Sequence, residues 1–192
     1  MKIGIFSGSF DPIHTGHAMV ANYLSQFCGL DRVWLMPSPL NPLKQDRPPI
    51  SDAHRLEMCR IVACRCASVE ASDFEFSMPL PSYTCMTLEQ LSGEYPEHEF
   101  SLVIGSDNWL EFDRWRDWQK ILARYPIIIY PRPGYPVTGE LPSGVRLLGE
   151  APQALISSTF IRTAIAEKKN VNYFLAPEVA DYIKKYGLYE RP

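Results

Sequence analysis

Phe100 to Ile104 (FSLVI) and Pro126 to Tyr130 (PIIIY) are short runs that are apolar at nearly every position. A strand with one wet face would alternate polar and apolar side chains. Runs that are apolar throughout fit strands buried on both faces, the signature of a parallel sheet sandwiched between helices. Lys2 to Ser7 and Arg32 to Met36 (RVWLM) read the same way, and Ser68 to Phe74 and Val145 to Leu148 are weaker strand candidates. Helical patterns separate them. Val20, Leu24 and Phe27 share one helix face that Gly29 can end. Ser51 is a candidate N-cap for a helix through Leu56, Cys59 and Ala63. Ser82 to Ser92 forms a third helix closed by Gly93, and a Trp-rich helical stretch follows Asp107. Helices near Ser158 to Lys168 and Pro177 to Tyr186 close the chain, with Pro177 in a first turn and Gly187 as a stop. The alternation predicts a doubly wound, Rossmann-like α/β fold, with helices on both faces of a parallel sheet and a small helical C-terminal part. The length of 192 residues suits one domain spanning 1–192. Pro37, Pro39 and Pro42 predict a stiff loop, and the Pro/Gly-rich 131–144 stretch a surface excursion.

Composition removes several classes. A net charge of -3 gives no support to a nucleic-acid binder, which needs a basic excess. No run approaches the roughly 20 apolar residues that cross a bilayer. The N-terminal MKIGIFSGSF lacks a signal-peptide layout, so a cytoplasmic location is expected. Oligomeric state is not legible. The five cysteines (Cys28, Cys59, Cys64, Cys66 and Cys85) are odd in number and contain no C-x-x-C pair. They are read as buried thiols on an apolar helix face rather than as disulfides or a zinc set.

The chemistry concentrates in GSFDPIHTGH, Gly8 to His17, between the first strand and first helix. In an open α/β sheet, ligands bind at the carboxyl ends of the strands, and a helix N-terminus there is an anion site. Gly8 and Gly16 allow backbone to approach a phosphate. The loop matches neither the dinucleotide fingerprint nor the Walker A pattern. His14 and His17 can donate hydrogen bonds to phosphoryl oxygens where charge accumulates in transfer. The bland alternative is a capping or packed histidine pair. A metal site is weaker, since H-x-x-H offers no third ligand. Further along, Ser157, Ser158 and Thr159 stand at a helix start, where hydroxyls and free N–H groups hold anions, and Arg162 lies on the first turn.

Together these strings resemble the two signatures of the nucleotidyltransferase superfamily. His14 and His17 match H-x-G-H, and Ile156 to Arg162 (ISSTFIR) matches I-S-S-T-x-I-R. Within the superfamily the chain resembles the bacterial nicotinate-nucleotide adenylyltransferases over nearly its whole length, with gaps at 45–80 and 136–150. PSYT at Pro81 to Thr84 is similar to the family segment whose amides meet the nicotinate carboxylate, which implies Tyr83 and Thr84 in acceptor binding. IGSDNW resembles the segment serving adenosine and ribose, which implies Ile104, Gly105 and Asp107. Trp115 in FDRW matches the tryptophan that stacks on the pyridine ring, and PRPGY resembles the family's R-P-G-Y, which implies Arg132 near the phosphates. Trp109 and Trp118 read as core, and Asp107 has a simpler reading as a helix cap. One departure stands out: the family's Pro-Pro-His-Lys is here Asn41-Pro42-Leu43-Lys44, so Lys44 keeps the cation while Leu43 replaces the histidine. Arg47 is a candidate to replace that contact.

The resemblance implies transfer of the adenylyl group of ATP to nicotinate mononucleotide, with release of pyrophosphate. It implies His14, His17, Lys44 and Arg162 as catalytic. Gly8, Ser9, Phe10, His17, Ile104, Gly105, Asp107, Arg132, Ile156, Ser157, Ser158 and Arg162 would bind ATP. Tyr83, Thr84, Trp115, Arg132 and Lys44 would bind the acceptor. Mg2+ is expected on the ATP phosphates, with no protein ligand. The alternatives are another acceptor (nicotinamide mononucleotide or phosphopantetheine), a cytidylyltransferase, a non-catalytic nucleotide sensor, or a metallohydrolase using the histidines.

Overall fold

The structure, a computed structural model, describes residues 1–39 and 50–190. Six strands form one parallel sheet: β1 (Lys2–Gly8), β2 (Arg32–Pro37), β3 (Val69–Ala71), β4 (Glu99–Gly105), β5 (Ile127–Tyr130) and β6 (Val145–Leu147). Their spatial order is β3-β2-β1-β4-β5-β6. The chain steps outward from β1 to β3, then restarts at β4 on the other side of β1. That reversal opens a crevice at the carboxyl ends of β1 and β4.

The strands are apolar throughout because both faces are buried. Ile127 and Ile129 point into one core with Ile3, Ile5, Leu88, Leu102 and Ile121. Ile128 and Tyr130 point into the other, with Phe6, Leu24, Leu35, Met58, Ile161 and Val179. A residue-by-residue switch of face is the period-2 geometry of a strand. The covering helices are α1 (Thr15–Phe27), α2 (Asp52–Ala63), α3 (Thr84–Glu94), α4 (Ser106–Trp109), α5 (Trp118–Arg124), α6 (Ser158–Ala166) and α7 (Pro177–Lys185). Ser51 Oγ caps α2 by accepting from the His54 N–H, and Gly29 (φ +71) and Gly187 (φ +59) follow the ends of α1 and α7. None of the helices among the described residues is long and apolar enough to cross a membrane.

Several boundaries differ from the sequence reading, each for a local reason. The strand expected over Ser68 to Phe74 shrinks to β3 at the sheet edge. A 3-10 turn, Phe74–Ser77, then begins where the Phe74 N–H turns to Ser72 Oγ (3.3 Å). Gly93 does not close α3, which runs through it and stops at Tyr95, the residue restricted by Pro96. The Trp-rich stretch is broken into α4, a 3-10 turn (Phe112–Arg114) and α5, with Asp117 in the left-handed region (φ 54) before α5. Lys168 (φ 59) lies beyond the end of α6. Of the cysteines, Cys28, Cys59 and Cys85 are buried, but Cys64 is exposed and Cys66 half-buried, because both follow the α2 face instead of lying on it.

Candidate active site

The loop leaving β1 is shaped by backbone contacts before any side chain acts. Gly8 O accepts from the Ser38 N–H (2.9 Å), tying the ends of β1 and β2 together. Phe10 turns the chain through the left-handed region (φ 43), a conformation that non-glycine residues hold only where surrounding structure enforces it. His14 then caps α1 with extended backbone. Its main-chain N–H donates to Nδ1 of His17 (3.3 Å), which places the proton of a neutral His17 ring on Nε2. The two rings stack at 3.7 Å and 24°. Gly16 permits this: a Cβ there would lie 3.1 Å from the His14 ring. His14 is buried, and that burial, followed by the nearby Arg132 charge, pushes its pKa down to about 4. Among the described residues its Nδ1 has no hydrogen-bond partner.

The N-terminus of α6 is fastened onto this loop from above. Ser157 Oγ caps α6 by accepting from the Phe160 N–H (3.1 Å). Ser158 Oγ donates to Pro12 O (2.9 Å). Arg162 donates through Nη1 to Asp11 O (2.6 Å) and through Nη2 to Thr159 Oγ1 (3.2 Å). Two strings about 140 residues apart in sequence thus form one structural unit. The Arg162 fork, a candidate phosphate contact from the sequence, is partly spent on building the loop.

Across the switch point, Gly105 between β4 and α4 leaves room for the Asp107 carboxylate, since a Cβ there would run into Asp107 Oδ1. Asp107 does not cap α4, whose N-cap is Gly105. It accepts instead from Arg132 Nη1 (2.8 Å), and the Arg132 N–H donates to Ser106 Oγ (2.8 Å). The same guanidinium lies 5.7 Å from the Tyr130 ring centroid.

The far end of the crevice is aromatic and cationic. Tyr83 precedes α3 without a side-chain cap; the Met86 N–H donates to Tyr83 O (2.9 Å), and among the described residues the Thr84 and Cys85 N–H groups at the helix start are left for another acceptor. Trp115 packs on Phe112 (5.5 Å) while one side lines the crevice, and Trp109 stacks on Phe112 (5.3 Å) in the core. Trp118 also packs on Phe112 and away from the crevice lining. Arg116 lies 4.7 Å over the Tyr83 ring. Glu75 lines the same region, buried, and accepts from Thr87 Oγ1 (2.9 Å); burial raises its pKa, against that hydrogen bond.

One cleft of about 650 Å³ connects these groups. It is lined by Gly8, Ser9, Phe10, His14, His17, Tyr83, Thr84, Ile104, Asp107, Trp115, Arg132, Ser157, Ser158 and Arg162, all of them singled out from sequence. Ile156 lines an adjoining hollow of about 290 Å³ shared with His14, His17 and Arg132. Gly105 sits behind Asp107. Leu43, Lys44 and Arg47 lie outside the described residues. Sequence reasoning missed Asp11, Glu75 and Arg116. Asp11 stood inside the first motif, whereas Glu75 and Arg116 belong to no pattern and are placed only by the fold. No group of three or more His, Cys, Asp or Glu among the described residues is arranged to hold a metal ion.

Residues 5–164 match the cytidylyltransferase-like family. A Bacteroides thetaiotaomicron protein named a probable nicotinate-nucleotide adenylyltransferase is 50% identical over 187 residues, 97% of this chain and 92% of its own. A relative of the same name from Flavobacterium johnsoniae is 41% identical, with both chains covered fully. In structure, the fold is similar to that of Plasmodium falciparum nicotinic acid mononucleotide adenylyltransferase complexed with NaAD. The TM-score is 0.81 at 23% identity, covering 98% of this chain and 97% of that one.

Proposed function

The chain belongs to the cytidylyltransferase-like family and, within it, to the nicotinate-nucleotide adenylyltransferases, and from that membership we infer that it transfers the adenylyl group of ATP to nicotinate mononucleotide. The products are nicotinate adenine dinucleotide and pyrophosphate, a step in NAD biosynthesis. The observation that carries the residue-level reading is the single cleft, which joins the histidine loop and the α6 N-terminus to Tyr83, Thr84 and Trp115.

A phosphate oxygen of the acceptor attacks the α-phosphorus of ATP in line. A new P–O bond forms as the bond to the β-phosphate oxygen breaks, and pyrophosphate carries away the electron pair. The attacking phosphate is already anionic, so the protein needs no strong base and works by positioning and charge stabilisation. His17 donates from Nε2 to the triphosphate, and neutral His14 supports it through the stacked ring. Amides of Ser9 and Phe10 and the α6 N-terminus with Ser157 and Ser158 cradle phosphate, with Arg132 and Arg162 as cations and Lys44 as a third. Ile104, Gly105 and Asp107 border the adenosine, and Ile156 closes its far side. Nucleotidyltransferases of this kind act with a metal ion. We assign it as Mg2+, which would be held by the ATP phosphates and water and would neutralise charge on the leaving pyrophosphate.

At the acceptor end, the pyridinium ring lies on Trp115 and its carboxylate meets the first amides of α3 after Tyr83. Arg116, beside Tyr83, adds positive potential that favours an acid over an amide. The whole 192-residue chain acts as one domain, in the cytoplasm. Pyrophosphate release from ATP and Mg2+ tests the reading, with nicotinate mononucleotide, nicotinamide mononucleotide or phosphopantetheine as acceptor. Fastest release with the nicotinate acceptor is expected. Release with phosphopantetheine alone would overturn the roles of Tyr83 and Trp115.

A further inference from the structure

Arg55 on α2 is wholly buried, at 0% exposure, and belongs to neither motif. A buried guanidinium loses its hydration, a cost that only well-placed acceptors offset. Its acceptors are few. Nη1 donates to the main-chain carbonyl of Ser9 (2.7 Å), Nη2 pairs with the carboxylate of Asp52 one turn earlier, and Nε has no partner among the described residues. A core position among Met58, Cys59 and Val62 would be filled more cheaply by an apolar side chain.

We propose that Arg55 is a positioning residue for the triphosphate loop, acting through the Ser9 carbonyl. The Ser9–Phe10 peptide is not among the cis bonds of the chain. In a trans peptide the C=O and the following N–H point in opposite directions. Drawing the Ser9 oxygen inward onto Arg55 therefore turns the Phe10 N–H outward, to the side where Ser9 and Phe10 line the cleft. The left-handed Phe10 (φ 43) makes this plane costly to hold unaided. Further along the loop the pattern repeats: Arg162 binds Asp11 O and Ser158 binds Pro12 O. Three carbonyls of the loop are thus engaged by donors from α2 and α6. Carbonyl oxygens that would repel phosphate are withdrawn, and the amide that attracts it is presented.

The inference rests on the ATP side of the proposed reaction and not on the acceptor assignment. Its test is direct binding of ATP to the full chain by calorimetry, beside binding of nicotinate mononucleotide. Arg55→Lys keeps the charge but loses the fork, and Arg55→Met keeps the bulk without donors. Both are expected to weaken ATP binding roughly tenfold, from loss of a charged hydrogen bond to a held peptide, with acceptor binding within about twofold of wild type. Lys should retain more affinity than Met. A folded variant that binds ATP like wild type overturns the proposal and leaves Arg55 a core residue, and so does a variant that weakens both ligands equally. If both variants fail to fold, Asp52→Ala reads the same coupling from a half-exposed position. A selective loss of ATP affinity there supports the proposal, and unchanged affinity overturns it. Failure of the acceptor assignment would appear separately, in wild type, as no binding of nicotinate mononucleotide.

Discussion

His14 and His17 share a turn, but their surroundings divide them. His14 is 4% exposed, and burial with Arg132 nearby holds its pKa at about 4, against an ordinary 6.5. The unfolded chain therefore binds a proton near pH 6.5 that the folded chain refuses until about pH 4. Stability from the neutral ring is complete above about 6.5 and drains as the pH falls toward 4, by on the order of 3 kcal/mol. Urea unfolding from pH 7 to 4.5 should show this slope in wild type, and His14→Asn should flatten it; parallel curves would contradict the burial argument. His17 has the different task of donating from Nε2. His17→Ala is expected to lower kcat on the order of 10²–10³-fold while far-UV circular dichroism stays native. Near-normal turnover would remove its role. At the other end of the cleft, Trp115→Ala should raise the acceptor KM roughly tenfold and leave the ATP KM nearly unchanged, since a pyridinium loses its stacking face. An unmoved acceptor KM would place Trp115 with Trp109 and Trp118 as packing.

At the scale of elements, the β4–α4 junction shows what a single hydrogen atom permits. Gly105→Ala would put a Cβ against Asp107 Oδ1, with Arg132 Cδ and Tyr130 Cζ each 3.1 Å away. The Asp107 carboxylate is a side-chain end and can swing aside, so the stability loss should be about 1 kcal/mol. Swinging aside breaks the bond to Arg132, and the ATP KM should rise several-fold while the acceptor KM holds. Equal changes in both would argue that the turn is merely structural. The same junction shows what was legible in the sequence. FSLVI and PIIIY foretold buried strands because burial on both faces is written in apolar runs. The cleft end after β1 followed from glycines and a helix start, and its continuation after β4 from the resemblance carried by IGSDNW. The Asp107–Arg132 pair did not, because partners 25 residues apart leave no spacing signal. Arg55, Glu75 and Arg116 were invisible for the same reason: each is an ordinary residue on its own segment and gains meaning only across the fold. The single-turn breaks in the Trp-rich stretch also escaped, since Asp117 carries no glycine-like mark of a left-handed turn.

At the scale of the molecule, the beginning and the end of the chain close on one carboxylate. Tyr189, two residues past the left-handed Gly187, is buried, and its hydroxyl donates to Asp11 Oδ1 (2.8 Å). Asp11 Oδ2 lies 3.7 Å from Arg162 Nη1. Burial and the adjacent Asp11 charge both raise the phenol pKa, so the hydroxyl keeps its proton and remains a donor. Asp11 thus ties the phosphate loop, of which it is part, to α6 and the C-terminal segment, with Leu188 and Tyr189 packed into the same core as Phe6 and Phe10. Removing one oxygen tests whether this tie serves catalysis or only stability. Tyr189→Phe keeps the ring and its packing but leaves a buried carboxylate short of a donor, a cost of about 1–3 kcal/mol. Thermal unfolding should report that loss directly. If the C-terminal segment also holds the loop in register, the ATP KM will rise while the acceptor KM stays level, because Tyr83 and Trp115 pack on the opposite core. A lower melting temperature with both KM values unchanged would make Tyr189 a staple of the fold, and the loop would then owe its shape to Arg55, Arg162 and Ser158 without it.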